Sequence, residues 1–280
     1  MEEYIIPNKT VLITGTSSGI GKETALYFSN KDWNVIATMR NPEKRKNIFQ
    51  NTNNIDTIHL DVLDYSSIKK AIDYAEKKYG SIDVLVNNAG YASFGPFEIS
   101  SQDHVEKQFK TNVLGLMDVT REILPLMRKR KQGVIINVTS IAGRMTFPLY
   151  SLYNSTKWAV EGFSESLQFE LRKFNIKVKN IEPGIIKTDF YYRSKEEIKI
   201  GKIHDYENIF ETMKNYEDNN MKKGNYSLPN VVAKTIYDAA TDNSWKLRYQ
   251  TGKYSGTIIW LRRILPERIF LRLVRHLTKV

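Results

Sequence analysis

Cysteine is absent from the 280 residues, which excludes disulfides, thiolate zinc sites and a cysteine nucleophile and suits a reducing compartment. Histidine is scarce: His59, His104, His204 and His276 are the whole set, and none stand at metal-ligand spacing. No metal is expected. No stretch approaches the roughly 20 consecutive apolar residues of a spanning helix. The start, Met1 to Pro7 with Glu2 and Glu3, has neither the basic opening nor the apolar core of a secretory signal, so a cytoplasmic protein is the expectation. Acidic residues are the scarcer charge, 31 Asp and Glu against 42 Lys and Arg, a net +11. That excess gathers in the tail, where residues 245–280 hold nine lysines and arginines against Glu267 alone. Neither a groove of stacking aromatics nor a recognisable binding module accompanies it, so no nucleic-acid partner is expected.

What is present begins with Thr10 to Thr14, a short β-branched apolar run. It passes at once into Gly15-Thr16-Ser17-Ser18-Gly19-Ile20-Gly21 and then into Lys22 to Asn30, with Ala25, Leu26 and Phe28 at helical spacing. Strand, glycine turn and helix in that order let backbone N–H groups approach a pyrophosphate at the positive end of a helix. A second strand, Val35 to Met39, ends at Arg40 with no carboxylate between Val35 and Pro42. An acidic residue there favours the ribose of NAD and a basic one accommodates the 2′-phosphate of NADP. NADP(H) is therefore favoured over NAD(H), with Ser18 a second phosphate contact; the alternative is a solvated loop arginine.

A third strand, Ile55 to Leu60, closes on Asp61-Val62, where a carboxylate can accept from an adenine amino group. A helix about Ser66 to Tyr79 precedes the strand Ile82 to Val86, which runs into Asn87-Asn88-Ala89-Gly90. Asp103 to Met127 reads as one long helix ending near Pro125 and carrying Asn112 among apolar residues. Strand Val134 to Val138 delivers Ser140, strand Lys177 to Ile181 ends at Pro183, and Lys246 to Tyr249 reads as a last strand. The rhythm predicts an α/β fold: a doubly wound, Rossmann-like parallel sheet with helices on both faces, in one domain spanning residues 1–280. Residues 189–224, highly charged but studded with aromatics, read as a helical lid over a substrate pocket or as a surface helical pair. Within residues 251–280, Ile269, Phe270, Leu273, Val274 and Leu277 oppose Arg268, Arg272, Arg275 and Lys279. Such an amphipathic basic helix either lies on an anionic membrane surface or docks on its own domain or a partner subunit.

The chemistry centres on Ser140, Tyr153 and Lys157. On a helix Tyr153 and Lys157 lie one turn apart on one face. An adjacent ammonium stabilises a phenolate and lowers a tyrosine pKa from about 10, and Ser140 adds a hydroxyl donor. Together they can polarise a carbonyl and deliver a proton to it, but they cannot supply a hydride.

These residues together resemble the short-chain dehydrogenase/reductase family: Thr14-Gly15 … Gly19-x-Gly21, Asn87-Asn88-Ala89-Gly90, Asn112, Ser140, Tyr153-x-x-x-Lys157 and Pro183-Gly184 … Thr188 come in its order and spacing. The resemblance implies an NADP(H)-dependent oxidoreductase interconverting a carbonyl and an alcohol by direct hydride transfer. Tyr153 is then the proton donor or acceptor, Lys157 lowers its pKa and holds the nicotinamide ribose, Ser140 orients the substrate oxygen, and Asn112 supports a proton-relay water. Gly15, Ser17, Ser18, Gly19, Ile20 and Gly21 cradle the cofactor with Arg40, Asp61 and Val62; Asn88, Ala89 and Gly90 support its centre, and Pro183, Gly184, Ile186 and Thr188 its carboxamide. Phe94, Phe147, Ile185 and Tyr191 fall to the substrate, expected to be small and apolar as in carbonyl, hydroxysteroid or retinol dehydrogenase-like branches. A homodimer or homotetramer is implied, with the helices carrying Asn112 and Tyr153 at the interface. Two other functions share these features: a nucleotide-sugar epimerase or dehydratase, disfavoured by the glycine spacing, and a non-catalytic NADP(H)-binding or membrane-surface scaffold.

Overall fold

The computed structural model describes residues 8–45, 47–50, 52–188, 195–198 and 203–280. Tyr191 and Tyr192, expected in the lid, lie outside the described residues. The elements in chain order are β1 (Thr10–Thr14), α1 (Gly19–Ser29), β2 (Asn34–Met39), β3 (Ile55–His59), α2 (Tyr65–Tyr79), β4 (Val84–Asn87), β5 (Ala92–Phe94), α3 (Gln102–Phe109), α4 (Gly115–Arg130), β6 (Gly133–Val138), α5 (Ser151–Leu171), β7 (Ile176–Pro183), β8 (Lys195–Glu197), α6 (Glu207–Lys222), α7 (Pro229–Thr241), β9 (Arg248–Thr251), α8 (Ser255–Ile264) and α9 (Glu267–Thr278).

Seven strands form one parallel sheet in the order β3-β2-β1-β4-β6-β7-β9. The fully buried run Val11-Leu12-Ile13 shows why both faces are covered. Val11 and Ile13 point to the side of Ala25, Phe28, Val232 and Ile236 from α1 and α7, whereas Leu12 points to the side of Ile68, Val119, Ile123 and Leu167 from α2, α4 and α5. Alternating side chains that are apolar in both directions need helices on both faces. The strand order reverses between β1 and β4, and a sheet of this kind opens a crevice at the carboxyl ends of the strands there.

Three boundaries differ from expectation. The long helix is α3 and α4 joined by a π-helical turn at Lys110–Leu114, and it runs through Pro125 to Arg130. One lost N–H does not end it, because Ile123 and Met127 on either side are fully buried in the core. The last strand is Arg248–Thr251, later than expected, because Tyr249 and Thr251 are the residues that bury beside β7. The lid region is not wholly helical: β8 pairs in parallel with β5 before α6 begins.

Candidate active site

Two turns meet at the sheet's reversal. Asn88 reaches back from the end of β4 so that its Nδ2 donates to the carbonyls of Thr14 and Gly15, at 2.9 and 3.0 Å. Thr14 Oγ1 in return accepts from the N–H groups of Asn88 and Ala89, both at 3.0 Å. This pairing brings backbone so close that only glycine fits. A Cβ on Gly15 would lie 2.8 Å from Ala89 Cα, and one on Gly21 would lie 2.4 Å from the Gly15 carbonyl oxygen and 2.5 Å from Asn88 Nδ2. Gly15 also holds φ at +73°, a value at which other residues are strained. Ser18 stands at the N-cap of α1 without its side chain capping the helix, and no acidic residue occupies the first turn. The positive end of α1 is therefore open toward an anion.

A cavity of about 600 Å³ extends from this turn across the carboxyl ends of the strands. Gly15, Ser17, Ser18, Gly19, Ile20, Arg40, Asp61, Val62, Asn88, Ala89, Gly90, Pro183, Gly184, Ile186 and Thr188 line it, and so do Ser140, Phe147, Tyr153 and Lys157. Arg40 is exposed at the rim and has no carboxylate partner among the described residues. Its carbonyl is bonded by His59 Nδ1 at 2.8 Å, which fixes the backbone and leaves the guanidinium to the cavity. Among the described residues no cluster of His, Asp and Glu could hold a metal ion.

Three expected residues stand elsewhere. Gly21 lies behind the turn, where its role is close packing. Asn112 is buried within the π-helical turn: its Oδ1 accepts from Tyr91 N at 3.1 Å, and its Nδ2 donates to Tyr91 O at 2.8 Å and Thr156 Oγ1 at 3.1 Å. It joins the loop after β4 to α5 and does not line the cavity. Phe94 is fully buried behind the wall, stacked between Tyr150 and Phe210 at 5.0 Å from each ring. It supports the pocket from outside because β5, pinned by β8, turns it away from the opening.

At the reacting end, Ser140 leaves β6, its Oγ accepts from Ala142 N at 3.1 Å, and it lines the cavity with Tyr153. Lys157 Nζ lies 5.7 Å from the centre of the Tyr153 ring and donates to the Val138 carbonyl at 2.8 Å. The expected lowering of the Tyr153 pKa is reversed here. Burial pushes the phenol up to about 12, with the Ser140 side chain only partly opposing it. The same burial brings Lys157 down to about 8, against the pull of Glu161. Desolvation disfavours both charged forms, so the phenol keeps its proton.

Two further groups hold the site in place. Asn87, Asn137 and Asn180 stand opposite one another on β4, β6 and β7. Their side chains tie the sheet to Thr120 of α4 and to Ser164 and Glu161 of α5, each bond 2.9 to 3.0 Å long. One asparagine at the same strand position three times over was the available signal. The second group closes the substrate side. Glu217 of α6 accepts from the Tyr150 hydroxyl and, at 2.7 Å, from Lys195 Nζ, beside Met213, Tyr216 and Met221, which also line the cavity. Nothing local in the sequence pairs these residues.

The comparisons agree with this arrangement. The family model described as short chain dehydrogenase matches residues 9–199. An uncharacterized oxidoreductase of Schizosaccharomyces pombe is 41% identical over 234 residues, which cover 83% of this chain and 96% of that one. A 3-ketodihydrosphingosine reductase of Bacteroides thetaiotaomicron is 36% identical, covering 71% and 72%. An NADPH-dependent 3-dehydrocapnine reductase of Ornithobacterium rhinotracheale is 32% identical, covering 96% and 98%. Among solved structures, a short-chain dehydrogenase from Streptomyces avermitilis superposes with a TM-score of 0.82 at 28% identity, covering 96% of each chain. ElxO with NADP bound gives 0.72 at 33% identity, covering 87% of this chain and 97% of its own. Glycine turn, strand order and Ser140–Tyr153–Lys157 site thus stand in a chain matched along most of its length, and the chain belongs to the short-chain dehydrogenase/reductase family of oxidoreductases.

Proposed function

We propose that this oxidoreductase reduces an apolar ketone or aldehyde to its alcohol with NADPH, Tyr153 supplying the proton. The observation that carries the reading is one continuous cavity joining the open end of α1 and Arg40 to Ser140, Tyr153 and Lys157. The residues fit a dinucleotide: Gly15 and Gly19 lie at positive φ beside an uncapped helix N-terminus, and Arg40 offers an unpaired cation for a 2′-phosphate. A bound nicotinamide would supply the hydride. Pro183, Gly184, Ile186 and Thr188 would hold that ring, and Asn88, Ala89 and Gly90 the middle of the cofactor.

The remaining steps belong to the chain. Ser140 and Tyr153 converge on one substrate oxygen, where negative charge builds during reduction, and stabilise it where the transition state needs them. Tyr153 then gives its proton to the oxygen. A phenol held near pKa 12 is protonated at neutral pH and is a weaker acid than free tyrosine, yet an alkoxide is far more basic still. Lys157, brought down to about 8 by burial, still carries most of its charge at neutral pH and would donate to a ribose hydroxyl entering beside it.

On the substrate side Ile141, Phe147, Ile185, Met213 and Met221 stand among Lys195, Glu196, Glu217 and Asn220, and the apolar members support an apolar substrate. Two relatives are named for ketones of lipids, 3-ketodihydrosphingosine and 3-dehydrocapnine, and a keto group on a long apolar chain is accordingly the substrate class favoured here. Exposed Leu114, Trp158 and Phe169 on the π-helical turn and α5 support subunit pairing into a homodimer or homotetramer, and the reading has it at work in the cytoplasm. The test is NADPH oxidation against a panel of short and long-chain ketones and aldehydes, with NADH in parallel. Turnover with NADPH rising with chain length is expected. A strong preference for NADH would defeat the role given to Arg40, and NADPH binding without turnover on any carbonyl would defeat the reductase reading.

A further inference from the structure

Helix α9 has the sequence of an amphipathic helix, yet its packing uses only part of its apolar face. Phe270 is buried, covered by the Arg262 guanidinium 5.2 Å from its ring centre, and α9 rests on α6 and α8. Ile269 and Leu277, two turns apart on one flank, remain 50% and 55% exposed. Helix α8 repeats the pattern: Trp260 and Ile264, one turn apart, are 58% and 50% exposed. Cations border both flanks. Arg263, Arg268, Arg272 and Lys279 are exposed and have no carboxylate partner among the described residues. The sole acidic residue of these helices, Glu267, stands 3.6 Å from Arg262.

We propose that α8 and α9 form a docking surface for an anionic lipid bilayer. Charge and polarity together select this occupant. A second copy of the chain would bring the same cations and another net +11 against them, so like charges oppose pairing through this face. A nucleic acid would satisfy the arginines but leave Trp260, Ile264, Ile269 and Leu277 against phosphate. A bilayer surface answers both: apolar side chains enter the boundary between headgroups and acyl chains while arginine and lysine meet anionic headgroups. Tryptophan suits that boundary in particular. Among the described residues no helix is long and apolar enough to cross a membrane, so the contact is lateral. Helix α6 links the surface to the site, since it supports α9 and contributes Met213, Tyr216 and Met221 to the cavity wall. Docking would bring that wall within one helix of the bilayer. The inference rests on α8 and α9 and does not need the ketone reading.

Flotation of the full chain with vesicles of phosphatidylcholine, alone or mixed with phosphatidylglycerol, tests it. Binding to the mixed vesicles only, released by high salt, is expected, with a blue shift in tryptophan emission that Trp260→Phe removes. Replacing Arg268, Arg272 and Lys279 together by Gln should weaken binding at least about tenfold, and Ile269→Asp should do so without touching a charge. Thermal unfolding and NADPH titration confirm that each variant is folded. Lack of binding to the mixed vesicles at low salt would overturn the proposal. So would unchanged binding in both variants, or self-association of the chain that Leu277→Asp abolishes. Vesicle binding by a protein that turns over no ketone would leave it standing and count against the reductase reading alone.

Discussion

The two walls of the cavity are built on different principles. On the cofactor side the Thr14 and Asn88 side chains lock the β1 and β4 turns by gripping each other's backbone: four bonds of 2.9 to 3.0 Å join Thr14, Gly15, Asn88 and Ala89, and glycine is obligatory where the chains touch. On the substrate side α6 is held by side chains, with Glu217 gripping Tyr150 and Lys195, and by the ring stack Phe210, Phe94, Tyr150 and Tyr153. Side chains that grip backbone across a glycine contact tolerate almost no substitution, whereas paired side chains can be exchanged one pair at a time. The difference shows how one scaffold keeps a fixed cofactor chemistry while its substrate changes.

The comparison can be broken most directly where the walls meet. Tyr153→Phe keeps the ring that meets Tyr150 edge-on and removes only the hydroxyl, so turnover should fall by about 100- to 10,000-fold while the NADPH affinity stays near that of the parent. Turnover close to normal would remove Tyr153 from its role.

Gly21→Ala sharpens the claim about the cofactor wall. Its Cβ would intrude on the Gly15 carbonyl and the Asn88 amide, so stability should drop by about 1–3 kcal/mol, with weakened NADPH binding by fluorescence titration. An unaltered melting temperature would show that the turns are not locked as described. The smallest effect belongs to the substrate wall. Glu217→Gln weakens the grip on Lys195, and losing about 1 kcal/mol there should raise KM for the carbonyl substrate roughly fivefold. The Kd for NADPH should not move; an equal loss in both would mean that the two walls are not independent.

How legible the site was follows the same division. Every cofactor-side residue named from the sequence lines the cavity except Gly21, because short-range pattern, strand then glycine turn then helix, dictates that wall. Asn112 is expected in the site from the family motif and Phe94 from the likeness of its segment to apolar-carbonyl branches, but neither says which way a side chain points. The β5–β8 pairing and the π-helical turn decide that, and both depend on partners distant in sequence. The protonation state was likewise illegible. From spacing alone, Lys157 should lower the Tyr153 pKa; burial of the phenol raises it instead.

By itself the sequence determined the alternation of strands and helices, the glycine turn, the cation at Arg40 and the Ser140, Tyr153 and Lys157 trio, since each is a matter of local periodicity or of a few neighbouring residues. Only the tertiary structure decided the partners: Asn87 with Asn137, Glu217 with Lys195 and Tyr150, and the apolar residues of α8 and α9 left outside the core. The physical reason is range. Propensity and spacing act over one or two turns of chain, whereas burial and pairing are set by residues that meet only after the sheet has closed.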